Sequence, residues 1–219
     1  MKRITVVLGI AALAALLPVT RAFAETTLYK IDPNHSVVGF SIRHLFSKVP
    51  GRFNDFEGTI QFDDKNMAAS SVETTIKTAS IFTNQEKRDT HLRSADFFAA
   101  DSFPTITFKS TKVTKGTAND FKIEGDFMMH GVSKKVVLDA TYLGTMDVGN
   151  GRAKAGFTAK TTLSRKEFNL LWNRTLDNGT VMLGDDVAVT LNIEADKVVA
   201  GTPAAPAAAP ATPAAAGSK

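Results

Sequence analysis

Apolar and polar residues alternate along most of residues 25–199. Neighbouring side chains of a β-strand point to opposite faces, so this alternation predicts strands with one buried face. Turn-forming stretches such as Lys115-Gly116 and His130-Gly131 separate the alternating segments, which predicts antiparallel neighbours joined by hairpins. Eight such segments can be recognised, at residues 38–42, 56–62, 72–76, 106–108, 121–129, 136–142, 157–163 and 187–193.

Two stretches interrupt this alternation. Residues 84–98 favour a short helix across one end of the sheet, with Asn84 as its N-cap and with Leu92 and Ala95 facing inward. Residues 164–178 predict a partly helical loop over apolar surface. The apolar residues of that loop are Phe168, Leu170, Leu171 and Trp172.

Many antiparallel strands with one apolar face predict an all-β fold, an eight-stranded antiparallel barrel with a short helical insert. Closure buries the apolar face and leaves no free sheet edge. An outer-membrane barrel has the same alternation. The chain has only two tyrosines and one tryptophan for interfacial girdles, its helical insert is too long for a periplasmic turn, and a tail follows the last strand, so an apolar interior is favoured.

The inward faces predict the lining of this interior. Small residues such as Gly58, Gly125, Ala140 and Ala159 interrupt them, which leaves two interpretations open, a fully packed interior or an elongated apolar cavity. The predicted apolar lining consists of Phe40, Ile42, Phe56, Ile60, Phe62, Ile106, Phe108, Phe127, Leu138, Phe157 and Leu191.

The two ends of the chain differ from the single domain predicted for residues 25–199. Residues 1–24 have the pattern of a cleaved secretory signal peptide: two cations, an apolar run over residues 4–17, and Ala22-Phe23-Ala24 before Glu25. Residues 200–219 contain ten alanines and four prolines, which predicts an extended, disordered tail. Export without any cysteine fits a periplasmic protein.

Net charge argues against a nucleic-acid partner. The chain has 26 lysines and arginines against 22 acids, a formal charge of +4. Lys2, Arg3, Arg21 and Lys219 lie in the two ends, and without them 22 cations balance 22 acids. A neutral domain lacks the electrostatic attraction on which binding to phosphate backbones depends.

Several motifs resemble the YceI-like family over residues 28–195. Near the amino end they are Tyr29-Lys30-Ile31-Asp32-Pro33-Asn34-His35-Ser36, Phe40-x-Ile42-x-His44, Gly51-Arg52-Phe53 and Phe56-x-Gly58. Further along they are Lys87-Arg88-Asp89-x-His91-Leu92, Phe103-Pro104-x-Ile106-x-Phe108, His130-Gly131-Val132-x-Lys134 and Gly184-Asp185-Asp186-Val187. The resemblance implies a periplasmic, lipocalin-like barrel that binds a polyisoprenoid, an isoprenoid quinone or a similar long lipid. One departure is Asn169, where the family usually has glycine; asparagine also tolerates positive φ, so we expect the turn to persist.

Polar residues near one barrel end suggest a head-group site. We expect His44, Arg88, Asp89 and His91 to lie at the mouth, where they would contact a quinone or phosphate group. The alternative for each residue is a structural role, such as ion pairing or helix capping. Apart from the lipid ligand we expect no cofactor, no metal, no catalytic residue and no stable membrane insertion.

Two other functional classes remain open. Four histidines among many carboxylates could form the metal site of a periplasmic enzyme, although the ligand spacings typical of zinc enzymes and the Gly-x-Ser-x-Gly motif are missing from the sequence. A packed barrel could instead be an interaction protein that acts through its tail. Homodimers through a barrel edge also remain open.

Overall fold

The computed structural model describes residues 26–177 and 179–199. The predicted signal peptide and the predicted tail lie outside these residues. The strands are β1 (Thr27–Ile31), β2 (Val37–His44), β3 (Ser47–Phe53), β4 (Phe56–Phe62), β5 (Ser71–Lys77), β6 (Ile81–Phe82), β7 (Thr105–Lys115), β8 (Asp120–Met129), β9 (Val132–Gly149), β10 (Arg152–Ser164) and β11 (Leu183–Lys197). The helix α1 spans Glu86–Arg93, and 3₁₀ turns span Met67–Ala69, Thr78–Ser80 and Arg165–Phe168.

Eight strands close into an antiparallel barrel, which confirms the predicted fold class. The order is β1-β4-β5-β7-β8-β9-β10-β11, and β11 pairs back with β1. Tyr29 lies opposite Lys197, and on the next seam Phe157 lies opposite Ile193. All these pairings are antiparallel, so alternate side chains of each strand face one shared interior.

β1 and β2 both pair with the same edge of β11, at different positions along it. β1 pairs with its last residues, and β2 pairs with the stretch from Leu183 to Asn192. The break between β1 and β2 is bridged by Ser36, whose hydroxyl donates to the Glu194 carbonyl at 3.1 Å and accepts from the Glu194 amide at 3.0 Å. The Ser36 hydroxyl thus takes the place of the backbone hydrogen bonds that Glu194 would otherwise make to a neighbouring strand, which gives Ser36 a structural role. Beyond β2, β3 and the short β6 extend the sheet.

The helical insert forms as predicted but begins one residue later than expected. Its N-cap is Gln85, whose side-chain oxygen accepts from the Arg88 amide at 2.7 Å. Asn84 has a φ of 60°, a left-handed conformation that turns the chain into the helix and does not cap it. The prediction that Ala95 faces inward is wrong: α1 ends at Arg93, and Ala95 lies exposed in the following turn.

The loop after β10 covers one end of the barrel, as predicted. Phe168 and Leu170 are 1% and 4% exposed. Asn169 between them has φ 59° and ψ 21°, which confirms that asparagine supports the left-handed turn here. Leu171 does not share in this covering role, because 63% of its surface is exposed.

Candidate ligand-binding cavity

The barrel encloses a cavity of about 240 Å³. Every strand of the closed barrel except the short β1 contributes several side chains to its wall, and β1 contributes Ile31. Ten phenylalanines line it, and Arg165 is the only charged residue among the described residues of the wall. The interior is therefore hollow rather than fully packed, which resolves the alternative left open by the sequence.

All eleven residues of the predicted apolar lining lie on the wall of this cavity. Alternation thus placed the right side chains inside; their contact with a ligand stays a prediction. The sequence-based prediction missed wall residues that lie outside the strands. These are Ser70 before β5, Leu92, Phe97 and Phe98 from α1 and the turn after it, and Arg165 and Leu170 from the loop after β10.

Some of the small inward-facing residues leave no free space. A Cβ atom at Gly125 would lie 2.4 Å from Cζ of Phe108, and one at Gly58 would lie 2.7 Å from the Glu73 carbonyl oxygen. Neighbouring groups therefore already occupy the room at these glycines. Ala140 and Ala159 do line the cavity, so they are the small residues that help to leave it open.

Apolar clusters close both ends of the cavity. At one end Phe62 packs against Tyr142 and Phe157, with ring centroids 4.7 and 5.1 Å apart. At the other end Phe53 packs edge-on against Phe98 at 6.0 Å, and Phe168 joins the same buried cluster. The first end is made of barrel strands together with Met67 of the 3₁₀ turn before β5, whereas α1 and the loop contribute to the second.

Arg165 holds the loop over this second end. Its Nε donates to the Gly184 carbonyl at 2.9 Å, and Nη1 donates to the carbonyls of Leu170 and Trp172 at 2.5 and 2.8 Å. Nη2 lies 3.3 Å from Oδ1 of Asp185. The guanidinium is 3% exposed and has protein acceptors on every nitrogen, which is how a charge can be buried beside an apolar cavity.

Two residues predicted at the mouth join α1 to Thr83, the residue directly after β6. Asp89 is buried and accepts hydrogen bonds from the amide and hydroxyl of Thr83. Arg88 donates from Nε to the Thr83 hydroxyl and from Nη2 to the Thr83 carbonyl, both at 2.7 Å. Neither side chain lines the cavity. These contacts fit the structural alternative, and contact with a head group stays an untested prediction.

The two predicted histidines at this end also lie off the cavity wall. His91 Nε2 lies 2.8 Å from Oδ2 of Asp96, and its ring packs edge-on against Phe97 and Trp172. His44 ends β2, opposite Leu183. Within the described part of the chain, His44 does not share a bonding partner with Arg88 or Asp89, which both contact Thr83. Their joint contact with a lipid head group therefore stays a prediction.

A charged cluster lies at the break between β1 and β2. Lys154 Nζ is 3.1 Å from Asp32, 2.8 Å from Glu194 and 2.9 Å from Asp196. His35 Nδ1 lies 2.7 Å from Asp32, and this bond, with help from Lys154, lowers the pKa of Asp32 to about 2. The same bond raises the pKa of His35. Hydrogen bonds to Glu194 and Asp196 raise the pKa of Lys154.

This cluster contains one candidate set of metal ligands. Side-chain atoms of Asp32, His35 and Glu194 lie within 4.8 Å of one another. Lys154 already pairs with both carboxylates, so its ammonium group supplies the positive charge that a metal ion would bring. None of the three lines the cavity. Within the described residues, no helix is both long and apolar enough to span a membrane.

Comparison with known proteins places this architecture in a family. Residues 29–195 match the YceI-like domain. Protein YceI of Escherichia coli is 46% identical over 145 residues, which cover 65% of this chain and 75% of that protein. The crystal structure of the Campylobacter jejuni YCEI protein is 33% identical, with a TM-score of 0.61 over 72% of this chain and 90% of that one.

A more distant structural neighbour shows that the same fold persists at low identity. It is a polyisoprenoid binding domain from Saccharophagus degradans, implicated in plant cell wall breakdown. It is 14% identical, with a TM-score of 0.55 over 80% of this chain and all of that domain. The matched domain spans nearly the whole barrel, and the chain belongs to the YceI-like family.

Proposed function

We propose that the protein binds a long apolar lipid, such as a polyisoprenoid or an isoprenoid quinone, inside its barrel. The observation that carries this proposal is a hollow interior of about 240 Å³ with an almost wholly apolar wall. Apolar surface buried from water contributes about 0.8 kcal/mol per methylene. The Saccharophagus degradans domain, a polyisoprenoid binding domain by its description, shares this fold and supports the choice of ligand class.

Charge placement favours binding over catalysis in this cavity. The described wall contains no carboxylate and no histidine, and the guanidinium of Arg165 is held by backbone carbonyls and Asp185. General acid–base catalysis requires a titratable group within reach of the substrate. We infer that the lipid is carried rather than chemically changed, and that periplasmic storage, transport or a stress response is the cellular role.

The test is organic extraction and mass spectrometry of the full-length chain expressed with its amino-terminal segment in a Gram-negative host and purified without a histidine tag. We expect one class of long apolar lipid in near-stoichiometric amount. The matched control is Ala159→Phe, which places a ring inside the cavity and should co-purify with much less of that lipid. Equal amounts of lipid in both proteins would contradict binding inside the barrel.

The same preparation tests the alternatives. A stoichiometric metal without any lipid would favour a metal-dependent enzyme, with the cluster of Asp32, His35 and Glu194 as the first place to look. Deletion of residues 200–219 tests the other alternative, an interaction protein that acts through its tail. Loss of the cellular role with lipid binding intact would favour action through the tail.

A further inference from the structure

Two neighbouring turns at the α1 end of the barrel present exposed apolar side chains. Leu45 and Phe46 form the turn between β2 and β3, and the Phe46 side chain is fully exposed. The chain before β11 forms the second turn, where Thr175 pairs with Val181. The Leu45 amide donates to the Met182 carbonyl at 3.0 Å, which joins the two turns.

We call the exposed side chains of Phe46, Leu171 and Val181 the apolar tip. Leu171 and Val181 are 63% and 55% exposed. Two-residue hairpin turns favour Asn-Gly or other glycine-containing pairs because they require positive φ. Here Leu45 adopts a φ of 48°, and the bulky Phe46 follows it. Burial within the fold does not explain Phe46, and an exposed aromatic of this size points to a partner outside the molecule.

The charges around the tip have one predominant sign. Arg43 and Lys48 lie opposite each other on β2 and β3, next to Phe46, and Arg174 lies on the second turn. Residues 41–50 and 170–182 together contain these three cations and a single acid, Asp177. Asp185, the next acid along the chain, is paired with Arg165 and Lys166. A local excess of cations in an otherwise balanced domain is complementary to an anionic surface.

The tip continues into the wall of the cavity. Leu170 lines the cavity, and the next residue, Leu171, belongs to the tip. On β2, Ile42 lines the cavity four residues before Phe46. A partner docked on the tip would therefore lie at the end of the cavity that α1 and the loop cover.

From the exposed aromatic, the flanking cations and this position, we propose that the apolar tip docks on anionic phospholipid bilayers. Phe46 would enter the interface while Arg43 and Lys48 contact lipid phosphates, a combination that suits a bilayer surface and does not require a membrane-spanning segment. Docking would bring the covered end of the cavity to the membrane that supplies or receives its lipid. Only the lipid exchange rests on the proposed function; the docking itself does not.

The test measures vesicle binding of the chain without residues 1–24, the predicted signal peptide, since its apolar run would itself bind vesicles. Co-sedimentation is measured with phosphatidylglycerol-containing vesicles and with pure phosphatidylcholine vesicles. We expect binding to the anionic vesicles that weakens with added salt. Phe46→Ser should weaken it at least about tenfold, which corresponds to about 1.4 kcal/mol.

The matched control is Met146→Ser. Met146 is 70% exposed and pairs with Lys154 near the start of β10, whereas the tip adjoins the opposite end of the barrel. We expect this variant to bind anionic vesicles like the unaltered chain. Unchanged binding by Phe46→Ser, an equal loss in Met146→Ser, or no binding by the unaltered chain would each overturn the proposal. Lipid extraction from the same proteins reports on the cavity separately, so docking can fail while the proposed cargo stands.

Discussion

Filling the cavity from its middle is the most direct perturbation of the proposed function. Ala159 lies on β10 between Ala140 of β9 and Leu191 of β11, and its side chain lines the cavity. Phenylalanine at this position adds an aromatic ring to a space of about 240 Å³. Because the ring enters empty space, we expect the Ala159→Phe protein to unfold at the same urea concentration as the unaltered protein, or at a higher one.

The effect on binding follows from the carbon atoms that the ring displaces. Six ring carbons exclude about six ligand carbons, and at about 0.8 kcal/mol for each methylene the gross loss is about 5 kcal/mol. Part of the displaced ligand can shift along the cavity, so we expect affinity to fall by at least about a hundredfold, or about 2.7 kcal/mol. Titration with an apolar probe that fluoresces only out of water measures this loss.

The control variant for this measurement lies on the same strand but faces outward. Thr162 is exposed, pairs with Ala188 and does not line the cavity, so Thr162→Phe should bind the probe like the unaltered protein. If Ala159→Phe unfolds normally and still binds the probe with unchanged affinity, the ligand does not occupy the cavity. That result would refute the reasoning, whatever lipid co-purifies.

Two further predictions concern buried and clustered charges. Arg165→Lys should lower the free energy of unfolding by about 3 kcal/mol in urea titrations, because one ammonium cannot replace the bonds of Arg165 to three carbonyls and Asp185. Hydrogen exchange should increase in residues 169–176 of this variant. Unchanged hydrogen exchange in these residues would contradict the role of Arg165 in holding the loop. Asp32→Asn should cost about 1 kcal/mol at pH 6, since solvent screens part of the full effect of the pKa shift. The pKa of Asp32 is lowered in the fold, so its contribution is present above the unfolded value near 3.8 and is lost as pH falls towards 2; a difference from the unaltered protein that persists at pH 2 would contradict this assignment.

Side-chain alternation was sufficient to predict the barrel and eleven of the residues that line it from the strands. A period of two is a local property, so each strand reports its own buried face, as Phe40 and Ile42 do on β2. Closure then follows because no other arrangement hides so many apolar faces without free edges. Alternation could not predict that two strands, β1 and β2, pair with the same edge of β11. This arrangement depends on Ser36 bonding to Glu194, a contact across 158 positions of sequence.

The residues around the covered end of the cavity were harder to place, because their roles depend on short-range hydrogen bonds that have no periodicity. Asp89 and Arg88 resembled head-group ligands by position and charge, yet in the structure both bond to Thr83. Alternation did not identify Arg165, because its place on the cavity wall depends on a loop that returns to it with the carbonyls of Leu170 and Trp172, and on the Gly184 carbonyl of β11. The sequence signal that could have identified Arg165 is an arginine that directly follows an alternating strand segment and precedes an apolar loop.

The size of the cavity indicates where a long ligand would leave the barrel. A volume of about 240 Å³ is below the roughly 300–1,000 Å³ typical of sites for drug-sized molecules, so a long lipid needs more room than the closed barrel offers. The end around Phe62 and Phe157 is built mainly from strands of the closed sheet, with Met67 of a short 3₁₀ turn packed among them. The other end is covered in part by the eight residues of α1 and by a loop, and such small elements move at lower cost than barrel strands. We therefore expect the ligand to extend past Leu92 and Leu170, at the end of the barrel where the apolar tip meets solvent.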